Sequence, residues 1–323
     1  MEQSGLVLAY LLDGEGGGRQ LDWDAINRHR VGTDLIWIHL HRTSADSQAW
    51  LNEQSGLDPL VVESLLAEST RPHCAEIGQG VMLFLRGVNL NPGAKPDDMV
   101  SIRIWVEKSR IISVRMRKLQ SIEEMCRALA AGTGPVDEGD FIVKLADFLT
   151  TRMSGFITNM DEEVDDLQEQ MLETESRQLR NELTRLRRGI IAFRRYLTPQ
   201  RDALLRFTQL KLTWLSDIDI LHLREEVDRI TRYIEDLDAA RERAAVTQEE
   251  LNNKLSEQMN SRMYVLSVVA ALFLPLGFLT GLLGVNVGGI PLADNPWGFL
   301  LVTLALGVIT ALLIVFFRWR DWL

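Results

Sequence analysis

The residues of this chain best placed to do chemistry are polar oxygens at the end of an apolar helix. Gly284-Val285-Asn286 closes a long run without charge. Asn286 offers a carboxamide oxygen. One such oxygen binds a cation weakly, but a ring of them around an axis supplies several dipoles, as selectivity filters do. Counting back in steps of three and four gives Gly284, Gly281, Gly277, Leu274, Ala270, Leu266 (or Ser267), Met263 and Asn260. These share one helical face, rich in small residues and ending in a carboxamide at each mouth. Small residues leave lumen space where they face an axis, and they also let a second helix approach closely. Spacing alone leaves both readings open: a pore lining, or a seam against the next apolar segment. Gly284 also permits a positive φ and a close turn at the helix end.

Other candidate ligands are sparser. His39 and His41 alternate on a strand-like run and share a face; they could ligate a metal, but histidines on a strand are more commonly structural or exposed. Asp161, Glu162 and Asp165 lie in the run 161–166, either a cation site between subunits or a solvated helix face. The arginine-rich stretch 177–201 is a natural partner for that acidic helix. His73 and Cys74 are adjacent, so on an extended chain they point apart. Cys74 and Cys126 are far apart with no CxxC partner, which indicates neither a disulfide framework nor a zinc finger. No firm metal-ligand set emerges. Nor does a nucleophile elbow, Walker loop, HExxH or dinucleotide fingerprint. Gly14-Glu15-Gly16-Gly17-Gly18 reads as a hairpin or loop. The expectation is a non-enzyme with no resident cofactor.

The elements that must position these residues are membrane helices. Residues 263–283 and 297–317 are each 21 long and contain no Asp, Glu, Lys, Arg or His; about 20 residues cross the hydrocarbon. A pair of buried core helices is the alternative, but core helices rarely stay apolar on every face for so long. Arg262 precedes the first span, Arg318 and Arg320 follow the second, and the loop 284–296 has no Lys or Arg. The positive-inside rule then puts both termini in the cytoplasm and the loop outside. Two spans cannot enclose a path across a bilayer, so any transport requires an oligomer. The formal net charge is −10, and Asp294, Arg318, Arg320 and Asp321 cancel, so residues 1–262 carry all of it. That argues against a nucleic-acid partner and suits either a surface that attracts cations or an acidic domain that simply avoids aggregation.

The pattern predicts an α+β cytosolic domain (1–140), a helical stalk or coiled-coil part (141–262), a first span (263–283), an external loop (284–296), a second span (297–317) and a cytosolic tail (318–323). Strand-like runs fall at 6–12, 35–41, 81–90, 100–106 and 110–116, the last two forming a hairpin around Glu107-Lys108-Ser109. Helical stretches fall near 46–55, 59–67 and 119–131. A long helix follows, marked by Phe141 to Met171. A second runs from Leu179 and ends near Thr198-Pro199. A third starts near Ser216-Asp217 and runs without Pro or Gly to Pro275, spanning 217–283, roughly 100 Å at 1.5 Å per residue. Its seam from Val227 to Leu255 suggests packing against helices of other subunits or within one chain. Pro275, with Gly277 and Gly281, makes a hinge or a static kink.

These features resemble the CorA-type divalent metal-ion transporters: a large cytosolic N-terminal domain, a long stalk helix, two C-terminal spans and a Gly-x-Asn signature, at which Gly284, Val285 and Asn286 stand. More narrowly the chain is similar to the zinc-transporting ZntB branch. The residues behind this are Gly284-Val285-Asn286-Val287-Gly288-Gly289-Ile290-Pro291, Glu68-Ser69-Thr70-Arg71-Pro72, Gly132-Thr133-Gly134-Pro135 and Arg195-Tyr196-Leu197-Thr198-Pro199-Gln200-Arg201-Asp202. The resemblance implies a homopentamer in the inner membrane with a funnel-shaped cytosolic body and a pore lined by the first span. It implies Zn²⁺ uptake coupled to protons, with Co²⁺, Ni²⁺, Cd²⁺ or Mg²⁺ as further ions. The chain departs from the magnesium type in carrying Val285 rather than Met and a single loop acid, Asp294. Yet 284–296 has no His, Cys or Glu, and zinc prefers nitrogen and sulfur. A hydrated ion, hydrogen-bonded to Asn286 through its water, fits that lining better. Neither span holds an Asp, Glu or His, the usual intramembrane proton carriers. The alternatives are a Mg²⁺/Co²⁺ channel of the same architecture and a non-conducting membrane-anchored oligomeric sensor.

Overall fold

The computed structural model describes residues 5–29, 32, 34–95, 97–173, 177–285 and 295–320. It divides into two compact units, Met1–Gln248 and Glu249–Leu323. Among the described residues, seven strands form one sheet: β1 (Leu6–Leu12), β2 (Gly18–Gln20), β3 (Ile36–His41), β4 (His73–Ile77), β5 (Gly80–Gly87), β6 (Val100–Glu107) and β7 (Arg110–Arg115), in the order β2-β1-β3-β7-β6-β5-β4. Only β3 and β7 run parallel; the other neighbours are antiparallel. The central strands are buried on both faces, so they read as continuous apolar runs rather than alternating ones. The β6–β7 hairpin turns at Lys108-Ser109, with Ser109 in the left-handed region at φ 64°. The Gly14–Gly18 segment is the β1–β2 turn, held by Asp13 Oδ1 accepting from the backbone N of Glu15 (2.8 Å) and Gly17 (2.9 Å).

Among the described residues, four helices accompany the sheet before the long ones: α1 (Trp23–Arg28), α2 (Ala45–Glu53), α3 (Pro59–Leu66) and α4 (Gln120–Ala130). Asp58 caps α3 by accepting from Leu60 N at 2.8 Å, with Pro59 preset for the first turn. A core of Ile36, Ile38, Leu40, Trp50, Val61, Leu65, Phe84, Trp105 and Val114 lies between α1–α3 and one face of the sheet.

Three long helices follow: α5 (Glu138–Glu173), α6 (Arg177–Phe207) and α7 (Asp217–Leu283). The start of α7 is a reciprocal cap. Ser216 Oγ accepts from Asp219 N (3.2 Å), and Asp219 Oδ2 accepts from Ser216 N (3.0 Å). The expected end of the second helix near Thr198-Pro199 is wrong: α6 continues through Pro199 to Phe207. Burial outweighs the lost hydrogen bond there, since Leu197, Ala203, Leu204 and Phe207 are all buried and Gln200 Oε1 accepts from Arg86 N at 2.7 Å. The apolar seam of α7 from Val227 to Ala244 is buried within the single chain. Polar contacts join it to α5 and α6 in the first unit: Arg229 to Asp147 (3.0 Å), Arg194 to Asp238 (2.7 Å) and Arg187 to Gln248 (2.7 Å). The last helix, α8, spans Gly298–Trp319.

Candidate functional site

The second unit holds the end of α7 and all of α8. Each contains an 18-residue stretch apolar enough to cross a membrane, with mean hydropathy 2.3 and 2.9, of which 6% and 0% is buried. A core helix of a soluble protein would be mostly covered, so the buried-core alternative does not describe these two.

Partial cover falls on one side of α7 only. Val268, Ala271, Leu272, Pro275, Leu276 and Leu279 are half-buried. At about 100° per residue their mean direction lies nearly opposite the small-residue face. That face is exposed throughout, with Met263 60%, Leu266 64% and Leu274 73% accessible. Asn260, Ala270, Gly277, Gly281 and Gly284 are exposed too. A Cβ built on Gly277 or Gly281 would meet nothing within 4 Å. α8 has a matching half-covered side at Val302, Leu306, Ile309, Thr310 and Leu313, ending in buried Phe317. The glycine stripe is therefore not a seam against the second span of its own chain. Its smallness is left for other copies, or for water.

The Ser267 and Thr280 hydroxyls inside this apolar stretch are bound locally, as hydrocarbon requires. Ser267 Oγ donates to Met263 O at 2.8 Å, and Thr280 Oγ1 to Leu276 O at 3.0 Å. Pro275 has no N–H, so the Ala271 carbonyl loses its helical donor; both residues are on the covered side.

α7 ends where Gly284 N donates to Thr280 O (2.9 Å) and Gly281 O (3.2 Å). The left-handed turn expected at Gly284 is not what requires glycine: its φ lies outside that region. The reason is close approach, because a Cβ there would stand 3.0 Å from the Thr280 carbonyl. Val285 is exposed at 48%. Asn286 lies outside the described residues, as does Asp294.

The other candidates are dispersed. His39 is fully buried, its Nδ1 2.7 Å from Ser113 Oγ, which also accepts from Trp37 Nε1 at 2.8 Å. Burial, then Arg115 and His41, hold its pKa well below the ordinary histidine value, so the ring is neutral in the sheet core. His41 Nδ1 is 3.1 Å from Thr43 Oγ1. Asp161 and Asp165 both pair with Arg243 of α7, the latter at 3.4 Å, and Glu162 is exposed. The arginine-rich stretch reaches the acidic helix through Arg185 to Glu163 at 2.6 Å. Cys74 is buried and burial pushes its thiol up to about 12; His73 instead sets its ring edge-on to Phe84, 4.4 Å between centroids. Among the described residues no three His, Cys, Asp or Glu side chains are grouped to hold a metal ion. What sequence reasoning missed is the covered face of α7. Its signal was the bulk of Leu272, Leu276 and Leu279 set against the glycines opposite.

A family model described as CorA-like Mg²⁺ transporter protein matches residues 32–318. The divalent cation transporter CmaX of Pseudomonas aeruginosa is 38% identical, with 100% of this chain and 98% of that protein covered. The zinc transport protein ZntB of Pectobacterium atrosepticum is 39% identical over the same shares, 100% and 98%. The solved structure of full-length CmaX matches with a TM-score of 0.86 at 38% identity, over 99% of each chain. That of the CorA magnesium transporter from Methanocaldococcus jannaschii reaches 0.81 at 20% identity, over 98% of this chain and 99% of that one, a likeness of fold alone.

Proposed function

This chain belongs to the CorA-like Mg²⁺ transporter family, and from that premise we propose that it is a homopentameric importer of Zn²⁺ in the bacterial inner membrane, coupled to protons. It is a divalent-cation transporter by family; the ion, the coupling and the assembly are the proposal. Relatives at 38–39% identity over nearly their whole length carry the names CmaX and ZntB, which supports zinc among the candidate ions.

The observation that carries the reading is the uncovered stripe from Asn260 to Gly284. Five copies turning that face inward would line an axis, with Gly277 and Gly281 giving it width. Asn286 would crown the outer mouth, and the ion would pass as a hydrate whose water the carboxamides hold. The acidic charge of residues 1–262 would draw the emerging cation towards the cytoplasm. With no Asp, Glu or His in either span, proton coupling would run through groups outside the hydrocarbon.

The absence of any His, Cys or Glu in 284–296 favours a second reading, a Mg²⁺/Co²⁺ (or Ni²⁺) channel with the same pore. Metal flux into proteoliposomes separates the two. Wild-type protein is expected to take up Zn²⁺ faster when a proton gradient is imposed. Asn286→Ala is expected to lose about tenfold or more, equivalent to ~1.4 kcal/mol on the barrier. Undiminished uptake in that variant would reject the role of Asn286. A preference for Mg²⁺ indifferent to pH would select the channel, and a folded oligomer that conducts nothing would leave the sensor.

A further inference from the structure

Three arginines from separate parts of the sheet converge beside the C-terminal end of α3, without an ion pair among the described residues. Arg103 on β6 is 5% exposed and donates Nη1 to Leu65 O at 2.6 Å. Arg86 on β5 donates to Met99 O and Thr70 O, both at 2.7 Å, and lies 4.0 Å over the Tyr196 ring. Arg42 donates to Leu66 O and Ala67 O, both at 3.1 Å, and to Met116 Sδ at 3.4 Å. Every one of these acceptors is neutral. The Nε atoms of Arg42 and Arg86 are buried without a partner. Burial, then Arg42 and Arg86, bring the Arg103 pKa down to about 10, the sign of crowded, poorly solvated like charge.

Arg86 and Arg103 line a pocket of about 150 Å³ together with Thr70, Ser101, Asp98 and Arg117. At ~30 Å³ per water that is the room of about five waters. The Thr70 and Ser101 hydroxyls stand 3.3 Å apart in it. Neither acid at its rim forms an ion pair with Arg86 or Arg103, although Asp98 acts on half-buried Arg86 across space. Asp98 pairs with Arg117 at 2.5 Å, both side chains more than half exposed, and Glu68 is exposed. Unpaired buried charge is costly, and planar guanidinium forks beside hydroxyls match a tetrahedral oxyanion. We propose that this pocket binds phosphate, as the free ion or as the phosphoryl group of a small molecule, through Arg86, Arg103, Thr70 and Ser101. The site lies wholly in the first unit and is independent of the transport reading.

The competing view is that the arginines serve only to staple the α3 carbonyls and the Thr70 strand entry. The test is calorimetric titration of the full-length protein in detergent with inorganic phosphate, at ionic strength fixed by sodium chloride. Saturable binding is expected, and glycerol phosphate in a parallel titration tells a free ion from a presented phosphoryl group by which binds tighter. Ser101→Asp puts a carboxylate opposite Arg86, its cross-strand neighbour. It should weaken phosphate at least ~tenfold and raise the Tm in phosphate-free buffer. Thr70→Val, which keeps shape and removes one hydroxyl, should weaken phosphate several-fold if the aspartate variant does not fold. No saturable heat with wild type, equal response to chloride, or unchanged phosphate affinity in the folded variants would overturn the site.

Discussion

Gly277 and Pro275 lie two residues apart on α7, about 200° of rotation, and meet opposite surroundings. Pro275 is half-covered by its own chain, whereas nothing stands within 4 Å of where a Gly277 Cβ would be. One side of the helix is half-covered by its own chain, and the side that carries Gly277 and Gly281, together with Leu266 and Leu274, is left bare. On the proposed function, an assembly around an axis would turn that bare face inward.

Gly281→Phe should therefore leave the isolated chain unstrained, since the added atoms meet open space. It should still cut divalent-cation uptake in proteoliposomes by about tenfold or more, or prevent the oligomer from forming in detergent. Circular dichroism and mass measurement in detergent separate folding from assembly. Uptake at the wild-type rate by an intact oligomer would place Gly281 away from the lumen.

Gln200→Ala tests how α6 survives Pro199. Gln200 is 1% exposed and its Oε1 accepts from Arg86 N at 2.7 Å. Removing it leaves a part-buried N–H without its acceptor, a cost of up to about 1–3 kcal/mol, read as a Tm lowered by ~2–4 °C per kcal/mol in a domain of this size. A Tm equal to wild type would show that the packing of Leu197, Leu204 and Phe207 suffices.

Glu226 supplies a pH dependence. It is 5% exposed, lies 3.2 Å from Arg229 through Oε1, and leaves Oε2 without a partner among the described residues. Burial raises its pKa, against the pull of Arg229. A carboxyl raised on folding binds more protons folded than unfolded, so its contribution improves as pH falls through the folded pKa towards the unfolded value. Glu226→Gln keeps the shape and removes the charge, and Arg229 retains Asp147 at 3.0 Å. The variant should show a higher Tm at pH 7 and a flatter rise on mild acidification. An unchanged Tm–pH profile would contradict this.

The native cysteines should be silent to thiol reagents. Burial pushes Cys74 up to about 12 and Cys126 to about 11, so at pH 8 both are held as thiols and little of the reactive thiolate is present. Maleimide should label wild-type protein negligibly at pH 8 and more as pH rises. Rapid labelling at pH 8 would show that these thiols are open to solvent.

What could be read before folding was whatever depends on local pattern. The long apolar spans, the β6–β7 hairpin, the Asp58-Pro59 start of α3 and the Ser216 start of α7 all announce themselves by composition or capping. The edge strands β2 and β4 did not, because Gly18-Arg19-Gln20 and His73–Ile77 are short and mixed, and their pairing comes from neighbours. Pro199 misled because its cost is local and its compensation, Gln200 on Arg86, is distant in sequence. The stripe from Asn260 to Gly284 was legible as spacing, but not which side the chain would cover, since that depends on where α8 lies. Arg42, Arg86 and Arg103 meet only in three dimensions.

Cysteines placed singly at Leu274 and Gly281, on the bare face, and at Leu279, on the covered one, test the wet axis most directly. In sealed vesicles at pH 8, a membrane-impermeant thiol reagent should label Leu274→Cys and Gly281→Cys, with Zn²⁺ slowing the reaction, and should spare Leu279→Cys. Labelling of Leu279→Cys alone, or of none of the three in a protein that still carries Zn²⁺, would contradict a water-filled path along this face.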